Sequence, residues 1–184
     1  MDKKNLRILT VMGMLCAVSV ILVSIIHFPL FAAAPFLEYD PADVPIFIAT
    51  FSFGPLAGLL LTVVTSVIQG VTVSASSGLY GILMHIISTG SFCLVAGVIY
   101  KKLHTKKGAA ISLVIGTLTM TLVMIPANLF ITPYFMGAPV SVIKGLLLPA
   151  IIPFNFVKAA VNSVITFFLY KRISNLWENK QNNL

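Results

Sequence analysis

Apolar residues recur along this chain in long runs, separated by short clusters of proline, glycine and charge. The first run covers residues 8–28, preceded by Lys3, Lys4 and Arg7. At 1.5 Å per residue it is about 31 Å long, enough to cross a hydrocarbon core of ~30 Å. Residues 29–43 contain Pro29, Pro35 and Pro41 together with Glu38, Asp40 and Asp43, so they cannot be helical throughout. The segment reads as an ordered, partly extended loop on the outer side. Asp43 suits an N-cap and Pro45 a first turn, which predicts a second helix over 44–53. That helix is about 15 Å long, half a bilayer. Gly54-Pro55 then opens a fuller helix over 55–72. A short apolar helix joined in this way to a longer one is a broken-helix pattern of the kind found beside substrate sites. Residues 74–78 form a small-residue turn. Further helices are predicted over 79–100, 108–130 and 150–173, with a long Pro/Gly-containing connection at 132–149.

Composition fixes the solvent. Of 184 residues, 58% are apolar and 9% charged, and mean hydropathy is +1.02. Soluble domains carry roughly 25% charged residues, so a soluble globule and a disordered chain are excluded. Cys16 and Cys93 lie inside apolar runs and read as small buried residues, which argues against a secreted disulfide scaffold. The net charge of +7 gathers at the edges of the runs: the N-terminus, Lys101, Lys102, Lys106 and Lys107, then Lys171 and Arg172. That is a membrane-orientation pattern and not a nucleic-acid surface. The expected fold is an all-α integral membrane protein: one domain over 1–184 with six transmembrane helices, the second short, and cytoplasmic N- and C-termini. A cleaved signal peptide ending near Ala32-Ala33-Ala34 is the alternative for the first run. The run exceeds a usual h-region of about 7–15 residues, and the rest of the chain is also membrane-like.

Polar groups inside these helices are costly and normally face the bundle or a cavity. On the sixth predicted helix Asn155, Lys158, Asn162 and Thr166 fall on one stripe. The predicted spans hold no acid to pair with Lys158, and the nearest candidates are Glu38, Asp40 and Asp43. The stripe reads either as a binding site built on Asn155 and Lys158, or as a lysine that snorkels or pairs with a loop acid. Asn162, deeper, suits a bond to another helix. Thr117, Thr121 and Asn128 share a face of the fifth helix, where Pro126 predicts an unwound turn. Gly58, Thr62, Thr65, Ser66 and Gln69 make a polar-small stripe assigned to helix packing, and His85 to an inter-helix hydrogen bond. On the first helix Thr10, Gly13, Ala17 and Ser24 recur at helical spacing. Gly13-x-x-x-Ala17 allows close approach of another helix, from this chain or from a partner.

Enzyme signatures are sparse. The chain has no G-x-x-x-x-G-K-[ST] loop, no H-E-x-x-H and no acidic cluster, so neither nucleotide hydrolysis by that route nor a metal site is expected. Ser74, Ser76 and Ser77 precede His85 without a G-x-S-x-G context, which leaves a small intramembrane enzyme as a reading of another class.

Two stretches carry a family likeness. Phe36-Leu37-Glu38-Tyr39-Asp40-Pro41-Ala42-Asp43-Val44-Pro45, with Ala49-Thr50-Phe51-Ser52-Phe53-Gly54-Pro55-Leu56-Ala57-Gly58, resembles the substrate-binding S components of energy-coupling factor (ECF) vitamin transporters. Ile152-Pro153-Phe154-Asn155-Phe156-Val157-Lys158 resembles the start of the sixth helix in riboflavin-specific members, and Asn128-Leu129-Phe130 fits the same subgroup. The resemblance implies a six-helix fold in a prokaryotic cell membrane, with an outward pocket capped by the loop after the first helix. It implies riboflavin as transported ligand, no cofactor, and as partners a transmembrane T component and two cytoplasmic ATP-binding subunits. The substrate-binding residues it implies are Leu37, Glu38, Asp40, Asn128, Asn155 and Lys158. It assigns Gly13 and Ala17 to docking of the T component, where many members carry Ala-x-x-x-Ala. Riboflavin is uncharged, so Lys158 is expected to pair with Asp40 or Glu38. An S component for another vitamin or flavin-like compound is the nearest alternative.

Overall fold

The computed structural model describes residues 3–181. The chain ends at 1–2 and 182–184, which the sequence reading places on the cytoplasmic side, lie outside the described residues, as do the side chains of Lys4, Lys171 and Arg172. The protein is a helical bundle: α1 (Lys3–Ile25), α2 (Asp43–Phe53), α3 (Pro55–Val71), α4 (Gly78–Leu103), α5 (Lys106–Met136), α6 (Val140–Leu146) and α7 (Ile152–Gln181). Four helical stretches, 5–25, 75–103, 106–136 and 140–170, are long and apolar enough to cross a membrane. Leu56, Leu122, Phe130, Leu148 and Phe168 are each more than 60% exposed on the outer faces. An apolar belt of that extent suits hydrocarbon and not water.

Helix α2 is the central post. Its sequence is apolar all round, and residues 41–51 are buried without a break. A helix with no polar face is stable only when enclosed; here α1, α3, α4 and α7 enclose it. Phe47 stacks on Phe92 of α4 at 3.7 Å, and Phe51 stacks on Tyr100 at 4.5 Å. The reversal into α3 is made at Gly54, whose φ of +99° is a conformation L side chains rarely adopt. Gly97 of α4 lets that reversal pack closely: a Cβ there would lie 2.8 Å from Pro55 Cα. Gly97→Ala should therefore lower stability by about 1–3 kcal/mol, because backbone must shift; thermal unfolding in detergent checks this.

Three sequence expectations need correction. First, the connection expected over 132–149 is almost entirely helical. Helix α5 runs through Pro126 and Pro133 to Met136, where Gly137 (φ +60°) ends it, so there is no unwound turn at Pro126. Membrane helices tolerate proline when neighbouring helices support the freed backbone. A π turn at Leu147–Ile151, containing Pro149, links α6 into α7. Second, Asp43 is not the N-cap of α2. Ala42 holds that position without a side-chain cap, and Asp43 points into the bundle. Third, an acid therefore does lie within the helices, at the first position of α2. The loop after α1 is ordered, as the prolines suggested. Phe28–Pro29 pairs antiparallel with Glu38–Tyr39, and Ala34 and Leu37 pack on Ile143, Ala150, Ile151 and Phe154.

Candidate functional site

A cavity opens where the loop after α1 meets the adjoining ends of α3, α4, α5 and α7, enclosing about 1050 Å³ with its open mouth included. All six residues singled out for ligand binding border it: Leu37, Glu38 and Asp40 from the loop, Asn128 from α5, Asn155 and Lys158 from α7. Phe36, Met120, Met124 and Phe154 add apolar wall, and Thr132, Gln69, His85 and Ser88 add polar groups. Gly13 and Ala17 are not at the cavity. Both are exposed on α1, and a Cβ at Gly13 would meet nothing within 4 Å. The small-residue motif is thus not used for packing within this chain.

The polar framework starts at Lys158. Its position one and a half turns into α7 turns the side chain inward, where Nζ donates to Asp40 Oδ2 at 2.7 Å. Of the two acids offered by the sequence, the pair forms with Asp40; Glu38 stays exposed at the cavity edge. Asp40 Oδ1 accepts from the Ala42 backbone N–H at 3.0 Å, so the same carboxylate shapes the entry to α2. A buried cation with one hydrogen-bonded carboxylate is satisfied in charge while its other ammonium protons remain available.

One turn deeper, Asn162 locks the loop to the bundle. Its amide donates to Asp40 O at 3.1 Å and Asp43 Oδ2 at 3.2 Å, and its Oδ1 accepts from Tyr39 Oη at 3.0 Å. Burial, and then the neighbouring Asp40 carboxylate, raise the Tyr39 phenol above its ordinary value, so it stays a donor. Asp43 Oδ1 accepts from Thr89 Oγ1 at 2.7 Å and lies 3.0 Å from His85 Nε2, while His85 Nδ1 lies 3.0 Å from Ser66 Oγ. His85 thus bridges α2 and α3 from α4, as expected for an inter-helix hydrogen bond. The loop, α2, α3, α4 and α7 are tied by one connected set of polar contacts beneath the cavity.

Asn128 and Asn155 use part of their amides locally. Asn128 Nδ2 donates to Met124 O and its Oδ1 accepts from Thr132 Oγ1; Asn155 Nδ2 donates to Ile151 O. Each amide keeps a second N–H and acceptor capacity for a ligand. The local bonds hold two planar donor–acceptor groups in fixed orientation on the cavity that Lys158 also borders, which suits the edge of a flat heterocycle presenting alternating carbonyl and N–H.

The polar-small stripe on α3 divides. Gly58 and Thr62 pack against neighbours, but Ser66 and Gln69 border the cavity, contrary to the packing assignment for the whole stripe. Helical spacing places them on one face and carries no signal for where that face leaves the packed interior. The enzyme reading also changes partner: His85 contacts Ser66, not Ser74, Ser76 or Ser77. Ser66 Oγ lies 2.6 Å from Thr62 O, inside a helix whose backbone N–H groups are already bonded, which leaves no oxyanion hole beside it. Among the described residues no group of three His, Cys, Asp or Glu side chains could hold a metal ion.

The family model "ECF transporter, substrate-specific component" matches residues 7–170. The riboflavin transporter RibU of Staphylococcus aureus (strain TCH60) is 31% identical over 94% of this chain and 93% of its own. The riboflavin transporter FmnP of Bacillus subtilis (strain 168) is also 31% identical, over 90% of each chain. Among solved structures, the S component of a bacterial ECF transporter superposes with a TM-score of 0.82 at 32% identity, covering 94% of this chain and 98% of that one. An S component for biotin from an ECF-type transporter shares the fold at a TM-score of 0.65 and 16% identity, covering 93% of this chain and 94% of that one. The family and these relatives are transporters, not enzymes.

Proposed function

The chain belongs to the family of ECF transporter substrate-specific components, and on that premise we propose that it is the riboflavin-binding membrane subunit of such a transporter. The observation that carries the reading is the placement of Asn128, Asn155 and the Asp40-paired Lys158 around one cavity with apolar walls. Riboflavin joins a flat apolar ring system to an imide edge and a hydroxylated tail, and its recognition needs apolar surface with a few oriented polar groups. The amides and the free ammonium protons meet the imide edge, while Leu37, Phe36, Met124 and Phe154 contact the rings. Two relatives of matching length are riboflavin transporters, which supports this ligand over other vitamins.

The chain crosses a prokaryotic cell membrane six times, with α2 and α3 as the second and third crossings and both termini in the cytoplasm. The basic clusters at the N-terminus and at residues 101–107 support this orientation. It puts the cavity and its capping loop on the outer side. A transmembrane T component and two cytoplasmic ATP-binding subunits supply the energy. The bare face around Gly13 and Ala17 suits the T component, because small residues let helices approach within the bilayer. Uptake tests the whole reading: riboflavin-requiring cells that carry the energising subunits but lack their own riboflavin subunit should grow on low riboflavin when this chain is expressed. Absence of rescue, with the chain present in the membrane, counts against it. Gly13→Leu should weaken co-purification of the T component by about tenfold while riboflavin affinity is unchanged; undiminished co-purification removes the docking assignment.

A further inference from the structure

Gln69, near the end of α3, is only 7% exposed, borders the cavity, and its Nε2 has no hydrogen-bond partner. Among the described residues it is the one buried side-chain N or O atom left unpaired. Native proteins rarely leave a buried amide donor unpaired, and such an atom on a cavity wall marks a place where a ligand atom belongs. The backbone around it is well held: Gln69 O accepts from Thr72 N at 3.2 Å and Ser74 N at 2.9 Å. The turn that follows brings Ser74 and Ser77 to the same cavity. This wall is separate from the one carrying Asn128, Asn155 and Lys158. Helix α3 packs on α1, α2 and α4, and α5 packs on α4 and α7, so α4 stands between the helices that carry the two walls.

The chemistry of the two walls differs. One has planar amides and an ammonium group. The other has a single amide and two serine hydroxyls and no cation, a set that suits the several uncharged hydroxyl oxygens of a polyol. We propose that Gln69, with Ser74 and Ser77, forms a second polar subsite that binds the hydroxylated tail of the ligand, Gln69 Nε2 donating to a tail oxygen. The subsite rests on the riboflavin reading and assigns its two ends: ring edge to α5 and α7, tail to the turn between α3 and α4. It also makes Gln69 a selectivity residue, since a flavin without the tail leaves its amide unpaired.

Riboflavin and lumiflavin, which has a methyl group in place of the tail, discriminate the roles. Both are titrated by flavin fluorescence into the purified full-length wild type, Gln69→Leu and Ser77→Ala. Gln69→Leu should lose about tenfold in riboflavin affinity, and Ser77→Ala a few-fold, while lumiflavin affinity changes less than about twofold in either. Ligand-free Gln69→Leu should melt no lower than wild type, because the donor it removes has no partner in the protein. Unchanged riboflavin affinity in Gln69→Leu, or equal losses for both flavins, overturns the subsite and leaves the riboflavin reading standing. Failure of the wild type to bind either flavin overturns both.

Discussion

Lys158→Ala is expected to reduce riboflavin affinity at least a hundredfold while the protein remains folded in detergent. Two losses combine. The ligand loses an ammonium donor, and the Asp40 carboxylate, paired at 2.7 Å in the parent, is left without its cation on the cavity wall. Truncating one member of a buried charge pair costs about 2–5 kcal/mol, and a hundredfold corresponds to roughly 2.8 kcal/mol. The double variant Asp40→Asn/Lys158→Met separates the two losses. It removes both charges, so stability should return toward the parent value while affinity stays low. Asn155→Ala should weaken binding less, by about tenfold, since it removes one neutral hydrogen-bonding group. Parent-like affinity in both Lys158→Ala and Asn155→Ala would remove the ring-edge assignment.

The largest effect on stability is expected at Asp43. Its carboxylate is fully buried and meets His85 and Thr89 from α4 and Asn162 from α7. Asp43→Ala removes the acceptor of Thr89 and one partner each of His85 and Asn162 at the junction that ties the loop to the bundle. Such a loss costs about 3–5 kcal/mol, equivalent to a fall in melting temperature on the order of 10 °C for a chain of this size. Asp43→Asn, which keeps the shape and one acceptor oxygen, should cost less than half as much. Thermal melting of the ligand-free variants is the measurement; equal melting of Asp43→Ala and the parent would mean that the polar contacts beneath the cavity do not support the fold.

The legible parts of this protein are those where one element states its own requirement. A lysine inside an apolar helix favours an anion, and apart from Asp2 and Glu178 near the chain ends the acids are Glu38, Asp40 and Asp43, so charge points Lys158 to that segment, while the choice of Asp40 over a snorkelling side chain is made by the fold. The small residues Gly13 and Ala17 on α1 are legible as a face for close helix approach, but the sequence leaves open packing within the chain, and only the fold shows that face to be exposed. Asp43 was misassigned because the residue type that caps a helix is also one that reaches into a bundle, and only neighbours from α4 and α7 decide between them. The helical path from 132 to 149 was hidden by Pro133, Gly137 and Pro149. Local sequence marks them as breakers, while the packing of Ile143, Ala150 and Ile151 against Ala34 and Leu37 supports the segment as α6 and a π turn. Gln69 was missed because a polar stripe looks the same where it packs and where it opens onto a cavity.

The central claim is that this chain by itself binds riboflavin, and the most direct test is the visible absorption spectrum of the purified protein followed by titration of a ligand-free fraction. The account predicts flavin bands in the purified protein, or saturable quenching of riboflavin fluorescence at one site per chain, with the quenching strongly weakened in Lys158→Ala. A colourless, folded protein that leaves riboflavin fluorescence unchanged would contradict it, and would direct the search for the ligand to other vitamins within the same transporter family.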